Sequence, residues 1–153
     1  VDGTVSVLGG SITHGKGEAV NGTNGYVLWK AANFILDYNG NISVLGKGYR
    51  GGDQSESGDG PGGSDGDGGG NMGGAGSGGF GGNGTNGDGG LTYGNATNVT
   101  WPGSGAGGSN TVAGTSDPGY GGSGGGYIRI NATSTLNITG KIYAMGNATT
   151  IIN

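Results

Sequence analysis

The chain contains no cysteine, which removes disulfide staples, thiolate metal sites and thiol nucleophiles from consideration. It contains one histidine, His14, in the polar stretch SITHGKGEA, so a His-based triad would depend on that single side chain. A solvated loop residue is the expectation for it. Proline numbers three, far fewer than a collagen-like helix uses. Apolar residues make up only 30% of the 153, too few for a large conventional core. No apolar run approaches the ~20 residues of a membrane-spanning helix. Six basic residues stand against ten acidic ones, a net charge of -4. That balance argues against nucleic acid and anionic membrane surfaces, which call for basic patches.

Glycine is what the chain has in excess, 45 of 153 residues against a usual share of about 7%. The glycines are concentrated, 33 of them within residues 51–126. That segment also holds seven acids and no Lys or Arg, while all six basic residues lie outside it. The expected organisation is one β-rich unit over residues 1–153. Strand-forming flanks, 1–50 and 127–153, enclose a Gly-rich acidic insert, 51–126.

The flanks repeat. Gly3–Gly9 (GTVSVLG), Gly40–Gly46 (GNISVLG) and Gly140–Gly146 (GKIYAMG) share the pattern G-x-[IV]-x-[VA]-[LM]-G. Apolar residues at every second position turn one face inward, as a half-buried strand requires. Two copies follow matching strands, YVLWKAANFILDYNG from Tyr26 and YIRINATSTLNITG from Tyr127, which differ by one residue in length. Asn39-Gly40 fits a two-residue hairpin turn. Repetition of a whole three-strand unit points instead to a solenoid-like stack, an all-β architecture of short strands. The first copy has no matching strand before it. Setting Ile152-Asn153 against Val1-Asp2-Gly3 rebuilds the motif, which predicts head-to-tail continuation. Val1, Val5, Val7, Ile151 and Ile152 would carry that contact, within one longer tandem chain or between separate subunits.

Taken together, GYVLWKAANFILDYNGNISVLGKG (Gly25–Gly48) and GGGYIRINATSTLNITGKIYAMGNA (Gly124–Ala148) resemble the repeats of glycine-rich tandem-repeat microbial cell-surface and fibre proteins. The resemblance implies parallel β-helix-like repeats and a surface or fibre role rather than a chemistry. The long insert departs from the compact form of that pattern.

Within the insert, Gly recurs at every third position in several runs: 60, 63, 66, 69; 70, 73, 76, 79, 82; and 78, 81, 84, 87, 90. Three residues is the period of a polyproline II-type helix. The spacing over 58–126 resembles the polyglycine II bundles of certain insect antifreeze proteins and phage tail-fibre tips. There, hydrogen bonds between backbones replace a side-chain core. Irregular Gly loops pinned by their neighbours are the other reading of the same residues. Met72, Phe80, Leu91, Tyr93, Trp101 and Tyr120 would anchor the insert. Asn98–Thr100 would form a short strand ending at Trp101-Pro102.

Eight of the fifteen Asn residues begin an Asn-x-Ser/Thr sequon, against about 2.5 expected from composition. They are Asn21, Asn41, Asn83, Asn95, Asn98, Asn131, Asn137 and Asn147. Such sequons accept N-glycans only in a secreted protein, so the excess predicts an extracellular, cell-surface glycoprotein. Asn and Thr are also ordinary turn residues, the competing reading. Asn131 and Asn137 alternate with apolar strand residues and should face solvent.

Catalysis lacks a basis, because the acids sit in the insert rather than in a cluster on rigid strands. No cofactor is expected beyond the N-linked glycans. Calcium is the least weak of the chemistries weighed: Asp53, Asp59, Asp65 and Asp67 are spaced among glycines as in oxygen-rich loops, and a solvated acidic face is the other and preferred reading of them. The sequence thus reads as a structural subunit of a glycosylated filament, sheath or surface array. Its partners would be further copies of itself and other surface glycoproteins, with no nucleic acid and no membrane span. The alternative is an adhesin or glycan-binding tip, with Phe80, Tyr93, Trp101 and Tyr120 on a Gly-rich platform. Ice binding ranks below both, because half of the Thr residues fall within sequons rather than in flat ranks.

Overall fold

Alternating apolar residues and corner glycines generate two small parallel sheets. In the computed structural model, residues 2–15, 26–64, 66, 87–95, 97–110, 119–148 and 150–151 are described. Eight strands are present among them: β1 (Thr4–Val7), β2 (Gly10–Ile12), β3 (Tyr26–Leu36), β4 (Gly40–Ser43), β5 (Gly119–Tyr120), β6 (Tyr127–Ile138), β7 (Lys141–Tyr143) and β8 (Thr150–Ile151). The described part is strand-rich and holds no helix, as an all-β class requires.

One sheet has the order β1-β3-β6 and a second the order β2-β4-β7, with every pairing parallel. A short β5-β8 pair is antiparallel. The two parallel sheets form three layers. The chain runs β1 then β2, β3 then β4, β6 then β7, turning one corner in each layer. In the middle layer the corner is Asp37–Asn39, where the Gly40 amide donates to the Asp37 carbonyl at 2.8 Å. It moves the chain from one sheet to the next, so Asn39-Gly40 is not a hairpin turn. A Cβ at Gly40 would lie 2.7 Å from the Val7 carbonyl oxygen, so the corners stack only because this residue has no side chain.

Register determines which side chains meet. Val5 sits beside Phe34 and Phe34 beside Leu136; Val7 beside Leu36 and Leu36 beside Ile138; Ile12 beside Ile42 and Ile42 beside Ile142. These ladders are the core. Phe34, Leu36, Ile42 and Val44 are fully buried, with Val7 and Val27 nearly so. Trp29 packs on Phe34 with ring centroids 5.0 Å apart. The register also corrects the sequence alignment. Gly3–Gly9 stacks on Asn33–Leu36, not on Gly40–Gly46, and the true counterpart of Gly40-Asn41-Ile42 is Gly10-Ser11-Ile12. Both segments read as alternating Val/Ile between glycines, so pattern alone could not separate a strand before the corner from one after it. The β3–β6 register shifts between Ala31 and Asn33, where β6 holds the extra residue, Thr133-Ser134 against Ala32. The Tyr26 segment is nonetheless the longer one because its corner, Asp37–Asn39, faces Thr139 alone.

The Gly-rich segments pack by backbone contact. The Tyr49 amide donates to the Gly103 carbonyl (2.9 Å), Gly103 to Gly125 (2.8 Å) and Gly124 to Tyr49 (2.9 Å). Three residues along, Gly52 donates to Ala106 (2.8 Å), Ala106 to Gly122 (2.9 Å) and Gly121 to Gly52 (2.8 Å). Each set closes a triangle linking three extended segments, two running together and one running back. A fourth segment follows the same period: Gly105 donates to Asp59 (2.9 Å) and Gly108 to Glu56 (2.8 Å). These rungs use residues within 48–59, 103–108 and 121–125. Of the periodic runs read from the sequence, every position between 67 and 86 lies outside the described residues. Asn98–Thr100 forms a bend and irregular chain rather than a strand.

Candidate functional site

One end of the layered stack is open. In the middle layer Phe34, Leu36 and Ile42 are 0% exposed, whereas their third-layer counterparts Leu136, Ile138 and Ile142 are 55%, 41% and 40% exposed. Met145, beyond β7, is 60% exposed. Both sets are large apolar residues on strands paired with one another, and among the described residues a covering layer is present over the first set and absent over the second. Among the described residues, β6 and β7 each pair with one neighbour and present a second, unpaired edge. At the opposite end β1 and β2 do the same. Unpaired parallel edges of this kind are templates for strand addition.

The open end is concave. A cleft of about 930 Å³ lies against β6 and β7, with Ile128, Ile130, Ile142 and Ala144 on one wall and Val99 and Trp101 on the other. Trp101 is about half exposed. It is held near its place by the preceding loop, where the Tyr93 hydroxyl donates to the Pro102 carbonyl at 2.6 Å. Charge differs between the two ends. Residues 127–148 carry Arg129 and Lys141 and no acid, while residues 2–15 carry Asp2 and no Lys or Arg.

The sequence-read assembly residues fall in different places. Val5 packs against the core and Val7 lies within it, so both face inward from β1. Ile151 is paired with Gly119 across the β5-β8 pair. Val1 and Ile152 lie outside the described residues. Sequence reasoning did not single out Leu136, Ile138 and Ile142. Their alternation was visible, but not the fact that their layer is the last described.

The sequons are distributed over strands and turns. Asn131 and Asn137 are exposed on β6, as alternation predicts. Asn41 on β4 is half-buried, and its Oδ1 accepts from the Ser11 hydroxyl at 2.6 Å. Asn95 and Asn98 are exposed in one turn, where Asn95 Oδ1 accepts from the Thr97 amide (2.9 Å) and hydroxyl (2.8 Å). Asn147 is exposed, and its Oδ1 accepts from the Ser123 amide at 2.5 Å. In each bond the side-chain oxygen is engaged, while a glycan attaches to the nitrogen. Asn21 and Asn83 lie outside the described residues.

Among the carboxylates weighed for calcium, Asp53 and Asp59 converge with Glu56 on Arg50. The guanidinium contacts are 2.7, 3.3 and 3.2 Å respectively. The hydrogen bond that Arg50 donates to Asp59, with the nearby carboxylate charges, raises the Arg50 pKa above its ordinary value. Arg50 is the last residue of the flank, so a one-residue boundary hid the cation that partners these acids. Asp65 and Asp67 lie outside the described residues, and among those described no group of three or more His, Asp or Glu could hold a metal ion. Tyr49, unremarked in the sequence, is buried against Gly60, and burial pushes its phenol pKa up. His14 is not a solvated loop residue. It is half-buried, its Nδ1 contacts the Gly15 carbonyl at 2.5 Å, and its Nε2 is enclosed without a partner. Of the proposed aromatic platform, Trp101 lines the cleft, Tyr93 braces Pro102, Tyr120 pairs in β5, and Phe80 lies outside the described residues.

No helix among the described residues is long and apolar enough to cross a membrane. No protein-family model, curated protein or solved structure matches this chain.

Proposed function

We propose that this chain is a structural subunit of an extracellular, glycosylated filament, sheath or surface array, and that it works by assembly rather than catalysis. One observation carries the reading: a stack of in-register parallel strands exposes, at one end, the same apolar ladder that it buries one layer below. The corner-turning layers support a short β-solenoid. The three-residue hydrogen-bond rungs support a polyglycine II bundle over 48–59, 103–108 and 121–125. Both are architectures that lengthen by adding equivalent layers, which suits a fibre. The sequon excess supports secretion and glycosylation, with Asn131 and Asn137 projecting sideways from β6, away from its pairing edge.

The test is the denatured mass of native material before and after N-glycan removal, combined with sedimentation of the undenatured protein across a concentration series. The expected result is a mass that falls on deglycosylation and a sedimentation coefficient that rises with concentration. An unchanged mass ends the glycoprotein half of the reading and leaves the sequons as turn composition. A single monomeric species at every concentration ends the assembly half. A deglycosylated mass near 14.6 kDa identifies separate subunits, and a mass several times larger identifies a longer chain.

A further inference from the structure

We infer that the β6–β7 end is the seat for the β1–β2 end of a second copy of this chain. The second copy adds as a fourth parallel layer, with Thr4–Val7 alongside Thr135–Ile138 and Ser11–Ile12 alongside Lys141–Ile142. The inference rests on the assembly reading above, and it fixes the partner, the polarity and the register of the contact.

The register follows from the two interfaces already inside the chain. Thr4–Val7 lies on Asn33–Leu36, and those same residues lie on Thr135–Ile138. Ser11–Ile12 lies on Asn41–Ile42, and those lie on Lys141–Ile142. First-layer strands therefore already pack on a layer whose geometry the third layer repeats, and a second copy continues that interface by one step. The second copy would set its Val5 over Leu136, its Val7 over Ile138 and its Ile12 over Ile142. These are the pairings that bury Phe34, Leu36 and Ile42 within one chain. Of these pairings, Ile12 over Ile142 falls at the cleft, which Ile142 lines together with Ile130 and Trp101. The charge balance agrees, since the receiving end carries Arg129 and Lys141 and the entering end carries Asp2. Because the two contacting surfaces differ and are related by translation along the stack, the contact does not close, and it propagates. This contact differs from one between Ile151–Ile152 and Val1, because β8 is engaged with β5 instead.

The test exploits the lack of native cysteine. Ser6 and Asn137 are brought side by side by the inferred register, as are Ser11 and Lys141. Parallel neighbours stand about 4.8 Å apart, within the Cα separation a disulfide bridges. Four single variants are prepared: Ser6→Cys, Asn137→Cys, Ser11→Cys and Lys141→Cys. Each is mixed with its partner under mild oxidation and compared with Leu91→Cys, whose exposed site lies on the insert. The expected result is mixed dimers for 6 with 137 and 11 with 141, well above either variant alone or paired with Leu91→Cys. Asn137→Cys also removes a sequon, which the 11–141 pair does not. As a second readout, Leu136→Lys alters a side chain already more than half exposed, so the subunit keeps its fold. It is expected to weaken self-association on the order of tenfold or more, while Leu91→Lys leaves association unchanged. Self-association that persists in Leu136→Lys, without the two mixed disulfides, overturns this inference, leaves the assembly reading standing and gives the cleft to another occupant. Loss of self-association in the unmodified protein overturns the assembly reading itself.

Discussion

At the scale of the residue, what distinguishes this protein is how many positions exclude a single methyl group. A Cβ built at Gly105 would run into the Arg50 carbonyl, and one at Gly51 into the Gly121 carbonyl, far inside van der Waals contact. The obstacle is backbone in both cases, so no side chain can swing aside. Gly9 is the internal contrast, since a Cβ there meets nothing within 4 Å. Gly105→Ala is expected to destabilise the fold by about 3 kcal/mol or more. Gly9→Ala should stay within about 0.5 kcal/mol of the parent, and chemical denaturation midpoints decide between them. Equal midpoints would show that the Gly segments do not pack as closely as described. Serine does the remaining polar work: Ser104 Oγ accepts from the Gly62 amide (2.9 Å) and Ser64 Oγ from the Gly107 amide (2.8 Å), both buried. These bonds satisfy amides that the three-residue rungs leave over.

At the scale of the element, the same strand position has different worth in successive layers. Phe34 and Leu136 are register partners in β3 and β6, yet one is sealed and the other is more than half exposed. Phe34→Ala is expected to cost about 3–5 kcal/mol, the usual loss for a buried ring. Leu136→Ala in the dissociated subunit should cost less than about 1 kcal/mol. Thermal or denaturant unfolding of dilute protein measures both, and a large loss for Leu136→Ala would mean that its layer is already covered. Alternation in β3 and β6 was plain from the sequence, as were the corner glycines. The pairing of β1 with β3 rather than with β4 was not. Sequence pattern reports which side of a strand faces inward, and it is silent on which neighbour lies along the edge.

At the scale of the whole molecule, the layers define an axis with two unlike ends. The exposed sequons Asn131 and Asn137 decorate the side of the stack, and the apolar ladder occupies one end. Glycans on Asn131 and Asn137 would therefore stand on a different surface from the inferred assembly contact, whereas the sequon Asn147 lines the cleft. Enzymatic removal of N-glycans under native conditions is therefore expected to leave self-association intact while increasing sensitivity to protease. Electron microscopy of the treated material checks this, and dispersal of assemblies on deglycosylation would place the glycans within the contact instead.

The sequence by itself determined the β character, the inward faces of β1, β3, β4, β6 and β7, the corner glycines of the second and third layers, and the sequon positions. All of these follow from local rules: side-chain period, glycine freedom and turn chemistry. It also announced a three-residue period in the insert. The rungs lie within 48–59, 103–108 and 121–125, and most of the runs that showed the period lie outside the described residues. Only the tertiary structure decided the layer register, the partnership of Arg50 with Asp53, Glu56 and Asp59, the enclosure of His14 and Tyr49, and which apolar ladder is left uncovered. Each of these depends on contacts between residues distant in sequence. In a chain with so few side chains, backbone hydrogen bonds set those contacts, and a backbone amide looks the same at every glycine.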